Sequence, residues 1–139
     1  MRSLLLTVFL ATPALAADFT LELTEGEASR DASHSTRRYE VKGTAVTFTT
    51  QSGGRNAMKE DDVSKTGTVK DPVALEAALA VVRKSPNDAK PLKLQDTRYV
   101  TGCLTEGKKQ YCSTVREGSS KRLDALEAVA ALLPGLLSP

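Results

Sequence analysis

Residues 97–116 read TRYVTGCLTEGKKQYCSTVR, and this stretch decides the fold. Two runs of β-favouring residues flank Gly107-Lys108, a Gly-X pair that suits a two-residue II′ hairpin turn. Counting outward from this turn places Cys103 opposite Cys112 at a non-hydrogen-bonded position, where facing side chains lie closest together. The sequence therefore predicts a β-hairpin closed by a disulfide, which should stabilise the fold by about 2.7 kcal/mol in the chain-entropy description.

The two cysteines also indicate a cellular compartment, because disulfides persist mainly outside the reducing cytosol. A redox-active dithiol is the alternative interpretation. Such pairs usually form a close C-x-x-C motif at a helix start, whereas these cysteines are widely spaced on predicted strands. We therefore expect a structural disulfide in an exported protein.

The amino terminus predicts the same compartment. Met1-Arg2 precedes an apolar run over residues 4–11, and Pro13-Ala14-Leu15-Ala16 is a small-residue cleavage site of the A-x-A type. A transmembrane anchor needs about 20 consecutive apolar residues, and Pro13 and Asp18 interrupt this run. We expect a signal peptide over residues 1–16, a mature chain over residues 17–139 without a membrane span, and a secreted or periplasmic location.

The mature chain has the size of a single domain and almost no net charge. Removing residues 1–16 from the 139 leaves 123, with 18 basic and 17 acidic side chains. A dedicated nucleic-acid binder gains affinity by neutralising phosphates, so this balance argues against nucleic acid as a partner. Residues 83–139 carry 10 basic and 6 acidic side chains, which fits either a mildly basic face or an ordinary solvated surface.

The hydrophobic pattern places helices and further strands around the hairpin. Asp71-Pro72 is a strong helix start, and Ser119 or Ser120 caps a second helix that Pro134-Gly135 ends. Alternation of apolar and polar residues predicts strands over residues 18–24, 38–42, 44–50 and 63–70, with polar loops over residues 25–36 and 51–62. The predicted fold is α+β, an antiparallel sheet with two helices packed on one face, in the order β-β-(β)-(β)-α-β-β-α.

The segments that lead into the two helices resemble each other. Thr68-Val69-Lys70-Asp71 precedes Leu75-Glu76-Ala77, and Thr114-Val115-Arg116-Glu117 precedes Leu126-Glu127-Ala128. A duplicated β-β-α unit would explain this similarity, and so would chance resemblance between two amphipathic helices.

The sequence contains no pattern typical of a catalytic, cofactor or metal site. His34 is the only histidine and lies in a predicted loop, so a Ser-His-Asp mechanism or a zinc site lacks partners. Residues 102–109 match the start of a phosphate-binding G-x-x-x-x-G-K-[ST] loop, but Lys109 replaces the hydroxyl residue and no helix is predicted to follow. Glu60-Asp61-Asp62 lacks the D-x-[DN]-x-[DN]-G pattern of a calcium loop and is predicted to be a solvated charge run.

Three classes of function remain open from the sequence. The leading hypothesis is a non-catalytic extracytoplasmic binding or accessory module, for example an inhibitor, with a protein or envelope component as its partner. A small secreted hydrolase is the alternative, in which carboxylates such as Glu22 and Glu40 meet in space. The chain has no Trp and only three Phe and three Tyr, so the aromatic platforms that grip sugars are scarce. A structural envelope protein is the third class, and the oligomeric state is not indicated.

A partner-binding surface is predicted where tyrosine and arginine occur together and at the hairpin turn. Tyrosine and arginine are enriched among the residues that dominate binding energy, and a preordered turn loses little entropy on binding. The predicted contact residues are Tyr39, Tyr99, Tyr111, Arg98, Lys108 and Lys109.

Overall fold

Six strands and two helices make up the part of the chain that the computed structural model describes, residues 18–27, 33–54, 63–87, 98–115 and 120–134. In chain order they are β1 (Phe19–Glu27), β2 (Ser33–Lys42), β3 (Ala45–Gly54), β4 (Ser64–Thr68), α1 (Pro72–Lys84), β5 (Arg98–Glu106), β6 (Lys109–Val115) and α2 (Lys121–Ala131). This order confirms the predicted α+β fold. The signal peptide predicted over residues 1–16 lies outside the described residues.

The strands form one antiparallel sheet in the order β4-β3-β2-β1-β5-β6. Two tight turns join neighbours, between β2 and β3 and between β5 and β6. Each turn uses a glycine with positive φ, 62° at Gly43 and 60° at Gly107, a backbone conformation that side chains with a Cβ rarely adopt. The predicted hairpin register is confirmed, with Glu106 opposite Lys109.

One face of the sheet is apolar and covered by both helices. Alternate residues of the strands point to this face and are buried, among them Leu21, Leu23, Val41, Phe48 and Leu104. The helices complete the core with Leu75, Leu79, Val82, Leu123, Leu126 and Val129. The other face, called the open face below, carries the intervening polar residues of the strands. No described helix packs on it.

Both helices begin at the predicted caps. The Asp71 carboxylate accepts a hydrogen bond of 3.0 Å from the backbone N–H of Ala74. The Ser120 hydroxyl accepts one of 3.0 Å from the N–H of Leu123. These bonds satisfy amides that have no partner within the first turn of a helix.

The helices cross the sheet in opposite directions. α1 follows β4 at one edge and ends at Arg83, which is hydrogen-bonded to Glu106 at the end of β5. α2 begins beside β6, where Ser120 bonds to Ser113, and ends with Pro134 against Gly67 of β4. Both ends of the hairpin formed by β5 and β6 are thus close to helix termini.

Part of each predicted polar loop belongs to a strand in the structure. Residues 25–36 were predicted as a loop, yet β1 runs to Glu27 and β2 begins at Ser33. Residues 51–62 were also predicted as a loop, but β3 continues to Gly54, and residues 55–62 lie outside the described part. These strand ends are polar because they extend past the region covered by the helices, so the apolar alternation that marks a strand is missing there.

Candidate functional site

The hairpin of β5 and β6 is cross-linked in the middle. Cys103 and Cys112 form a disulfide, as predicted, with a Cα–Cα distance of 4.1 Å. That short distance is typical of a non-hydrogen-bonded antiparallel pair. The cross-link lies on the open face of the sheet, and it fixes the two strands on either side of the turn.

An ion pair ties the turn end of this hairpin to α1. The Arg83 guanidinium donates two hydrogen bonds to the Glu106 carboxylate, at 2.9 and 2.8 Å, and a third of 3.0 Å to Glu76. Its hydrogen bonds with Glu106 hold the pKa of the Arg83 guanidinium above its usual value. Because such a two-bond pair fixes both distance and orientation, the end of β5 is held against the end of α1.

The start of α2 holds the second strand of the hairpin. The hydroxyl groups of Ser113 and Ser120 are 2.7 Å apart, and both residues are buried. Arg122 stacks over the ring of Tyr111, 5.9 Å from its centroid, and donates a hydrogen bond of 2.9 Å to the carbonyl of Ser85. The hairpin is therefore held by a disulfide and by both helices.

The turn itself is exposed and basic. We call residues 106–109 the hairpin tip. Lys108 and Lys109 are exposed there and form no ion pair with any described residue. Lys84, in the last turn of α1, is also exposed and adjoins Arg83. The only acidic residue of the tip, Glu106, is already paired, so the tip presents uncompensated positive charge.

The outer side of β6 has no strand partner among the described residues. β6 is the last strand of the sheet and pairs only with β5 among the described strands. Because the narrow Cys103–Cys112 pair is non-hydrogen-bonded, the backbone N–H and C=O of Cys112 point away from β5. Because the backbone pattern of a strand repeats every two residues, the N–H and C=O of Gln110 and Thr114 also point away from β5. We call the backbone of these three residues the outer edge.

Glu22 and Glu40, the carboxylates predicted for a hydrolase, share a cation on the open face. The Arg38 guanidinium lies between the predicted carboxylates, 2.9 Å from Glu22 and 4.0 Å from Glu40, and Lys42 is 3.3 Å from Glu40. These side chains are about two-fifths exposed or more. Carboxylates that share a cation on an open, solvated surface form a surface ion network.

The hydroxyl pairs elsewhere on the open face are internally satisfied. Thr24 bonds to Thr36 and Thr101 to Thr114, each at 2.9 Å. These contacts join neighbouring strands.

The predicted contact residues divide into two groups. Tyr111, Lys108 and Lys109 lie together on the hairpin, whereas Arg98 is exposed at the opposite end of β5. Tyr39 is 4 % exposed and packs against Phe48 in the core, with ring centroids 4.9 Å apart. Tyr39 therefore has no surface to offer a partner in this fold.

The remaining tyrosine lies with the histidine on the open face. The Tyr99 ring covers Gly26 beside His34, and the His34 imidazole lies over Gly53. His34 was predicted in a loop, but it is an exposed residue of β2. The glycines opposite make room for these rings, so this contact is a packing arrangement at the polar end of the sheet.

The residues that match a phosphate-binding loop form a hairpin turn, and the candidate calcium residues lie outside the described ranges. The described residues contain no group of three or more His, Cys, Asp or Glu side chains placed to hold a metal ion. Residues 60–62 lie outside the described ranges. Gly107 forms a hairpin turn, and β6 follows it where a phosphate-binding loop needs a helix.

Sequence reasoning missed three residues that hold the hairpin, namely Arg83, Glu106 and Arg122. Arg83 was placed at the end of a helix, where a cation is favoured, but its contact with Glu106 joins positions far apart in the chain. No pattern within a few neighbouring residues predicts such a contact.

The comparisons add no functional assignment. No known family model matches the chain, and a search of curated proteins found no significant match. None of the described helices is both long and apolar enough to cross a bilayer.

Proposed function

We propose that this chain is a non-catalytic extracytoplasmic binding or accessory module that contacts a protein or envelope partner through the β5–β6 hairpin. An inhibitor is one form such a module takes. The observation that carries the proposal is that the hairpin is cross-linked and anchored to both helices while residues 107–110 are exposed and the outer edge has no strand partner among the described residues.

Rigidity favours this surface over others on the molecule. Ordering a loop or a mobile side chain on binding costs free energy, and a surface that is already ordered avoids that cost. The Cys103–Cys112 bond restrains the strands, and the Arg83–Glu106 pair restrains the turn end. The tip thus offers Lys108 and Lys109 on a fixed backbone.

One cleft among the described residues is too small for a small-molecule substrate. A cleft under α1, lined by Phe19, Leu75 and Leu79 among others, has a volume of about 10 Å³. That is about the space that one water molecule needs. Binding sites for small molecules are typically some 300 Å³ or larger, so this cleft does not suit a small-molecule substrate.

An extracytoplasmic location completes the proposal. It is supported by the disulfide and by the leader-like sequence over residues 1–16. The intact mass of native protein tests it directly. We expect a chain that begins at Ala17 and lacks two hydrogens because its cysteines are joined. Free thiols or a retained leader would contradict the proposed location.

Partner contact is tested by photo-crosslinking in the cell envelope. A photo-reactive amino acid in place of Lys108 should give a discrete crosslinked adduct, because that position lies on the proposed surface. The matched control places the same group at Lys65, an exposed lysine of β4 at the other edge of the sheet. Adducts of equal yield from both positions, or none from position 108, would overturn the proposal.

A hairpin without its cross-link is the second control. Cys103→Ala with Cys112→Ala removes the restraint and leaves the tip residues unchanged. The adduct at position 108 should become weaker in this variant if the ordered hairpin is what the partner recognises.

A further inference from the structure

Building on the proposed function, we infer that the outer edge of β6 binds an extended acidic segment of a protein partner, which adds to the sheet as a seventh strand. Strand addition needs a free edge, a backbone that holds its shape and side chains that select the partner. The described residues of the hairpin provide each of these.

The first requirement is met by the backbone of β6. The N–H and C=O groups of Gln110, Cys112 and Thr114 point away from β5, and no described residue pairs with them. Three such residues offer hydrogen bonds over most of the seven residues of β6. An added strand would satisfy backbone groups that have no hydrogen-bond partner among the described residues.

The second requirement favours β6 over the other edge of the sheet. β4 also has a free edge, but it is only five residues long, contains Gly67 and has no cross-link. β6 is joined to β5 by the disulfide within the strand itself. A strand that is already held in place loses less entropy when a second strand pairs with it.

The third requirement concerns charge. Lys108 and Lys109 lie at one end of β6, and α2 begins beside it with Lys121 and Arg122. Glu106, which lies opposite Lys109 across the hairpin, is already paired with Arg83. Basic side chains along an edge discourage pairing between two copies of the same edge, and they attract an acidic strand.

The alternation of side chains predicts the pattern of the partner segment. Lys109 and Tyr111 point to the helix-covered side of the sheet, and Arg122 stacks on Tyr111 from that side. Successive residues of an added strand also alternate between the two sides. Acidic residues at every second position would therefore face Lys109 and Arg122, while small or hydroxyl residues between them would lie beside the disulfide.

Binding of a defined peptide tests the inference. The probe is an eight-residue peptide of alternating Glu and Thr, with alternating Lys and Thr as its charge-reversed control, titrated into the oxidised mature protein. The expected result is saturable binding of the Glu peptide alone, with slower hydrogen exchange at the amides of Gln110, Cys112 and Thr114. Protection of Ser64, Thr66 and Thr68 on β4 instead, or equal binding of both peptides, would overturn the inference.

Variants separate the backbone contribution from the charge contribution. Lys109→Glu should weaken binding by about tenfold, whereas Lys65→Glu on the opposite edge should leave it unchanged. Gln110→Pro removes one outward N–H, and Thr66→Pro removes one on β4 as its control, with the fold of both variants checked by circular dichroism. A Glu peptide methylated on alternate backbone nitrogens needs no change in the protein and should not bind.

Two further outcomes are decisive. Dimerisation of the protein through β6, seen as a concentration-dependent loss of peptide binding, would make a second copy the occupant and overturn the inference. A discrete photo-crosslinked adduct at position 108 without edge protection by peptide would leave the proposed function standing and overturn only the strand addition.

Discussion

The two outer hairpins of the sheet have the same order of elements and are held in different ways. Each consists of two antiparallel strands that end at a sheet edge and lead into a capped helix: β3, β4 and α1 on one side, and β5, β6 and α2 on the other. The second hairpin has a tight glycine turn, a disulfide and a buried hydroxyl bond to its helix. The first has none of these among its described residues.

This difference shows where the molecule is restrained and suggests why. A cross-link within a hairpin is not required by the fold, since β3 and β4 pair without one. The shared arrangement is what a duplicated β-β-α unit would produce, and duplication stays a prediction. The proposed function accounts for this difference, because binding through the second hairpin benefits from a surface that is already ordered.

The largest expected effect comes from removing the cross-link. Cys103→Ala with Cys112→Ala should lower the free energy of unfolding by about 2.7 kcal/mol, because the unfolded chain is no longer closed into a loop. Urea unfolding of the oxidised protein and of this variant measures the difference. The neighbouring pair Thr101→Val with Thr114→Val, which removes both partners of a hydroxyl bond on the same face, is the control and should be nearly neutral. If removing the disulfide lowers the free energy of unfolding no more than removing this hydroxyl bond does, the disulfide is not the main restraint on the hairpin.

A second disulfide would make the hairpins alike. Thr47 faces Thr66 on the open face. Thr50 and Val63 share a backbone hydrogen bond at one end of the ladder, and hydrogen-bonded and non-hydrogen-bonded pairs alternate from there. Thr47 and Thr66, three positions along, therefore form a non-hydrogen-bonded pair. Their position therefore matches that of the natural cysteines. Thr47→Cys with Thr66→Cys should raise the free energy of unfolding by about 2 kcal/mol once oxidised.

The reduced form of this variant is its own control, since it has the same side chains without the bond. Hydrogen exchange of the β4 amides should slow only in the oxidised form. If the cysteines remain free under oxidising conditions, the register between β3 and β4 is not as described.

Much of this architecture follows from local signals in the sequence. Gly107 sets the hairpin turn, and counting from it gives the register and the cysteine pair. Asp71 and Ser120 mark the two helix starts. The first backbone N–H groups of a helix have no carbonyl partner within the helix, and the side chain of the capping residue accepts a hydrogen bond from the N–H three residues later. These features depend on residues within a few positions of each other.

The features that could not be predicted depend on contacts between distant residues. β1 lies between β2 and β5, and nothing within β1 indicates that it pairs with residues 98–105. Tyr39 was predicted at a partner surface, yet it points to the helix-covered face and is buried against Phe48. Residue type alone does not reveal which face of a strand is covered.

The two helix caps give the next prediction. Ser120→Ala removes the cap of α2 and leaves the buried Ser113 hydroxyl without its partner, whereas Asp71→Ala removes only an exposed cap. We expect losses of about 2 and about 1 kcal/mol in the free energy of unfolding, respectively. Ser113→Ala with Ser120→Ala removes both hydroxyls and should cost less than the sum of the two single changes. Equal losses at the two caps would show that the buried bond does not stabilise the second hairpin.

The smallest expected effect concerns the ion pair that links the two units. Arg83→Gln leaves the Glu106 side chain, which is only 16 % exposed, without its cation, and should lower the free energy of unfolding by about 1 kcal/mol. Arg83→Lys keeps the charge but loses the two-bond geometry, so stability should recover only in part and exchange near the tip should stay faster than in the unchanged protein.

The pH dependence of this loss follows from the direction of the pKa change. Folding raises the pKa of the Arg83 guanidinium, so its contribution is fully present below the ordinary arginine value and is lost only as pH rises toward the folded value. The ordinary pKa of arginine and the raised pKa of Arg83 in the folded protein both lie far above neutral pH. The cost of Arg83→Gln should therefore be the same at about pH 7 and about pH 9, measured by urea unfolding in matched salt. A cost that shrinks between those two pH values would mean that a group other than Arg83 joins α1 to the hairpin.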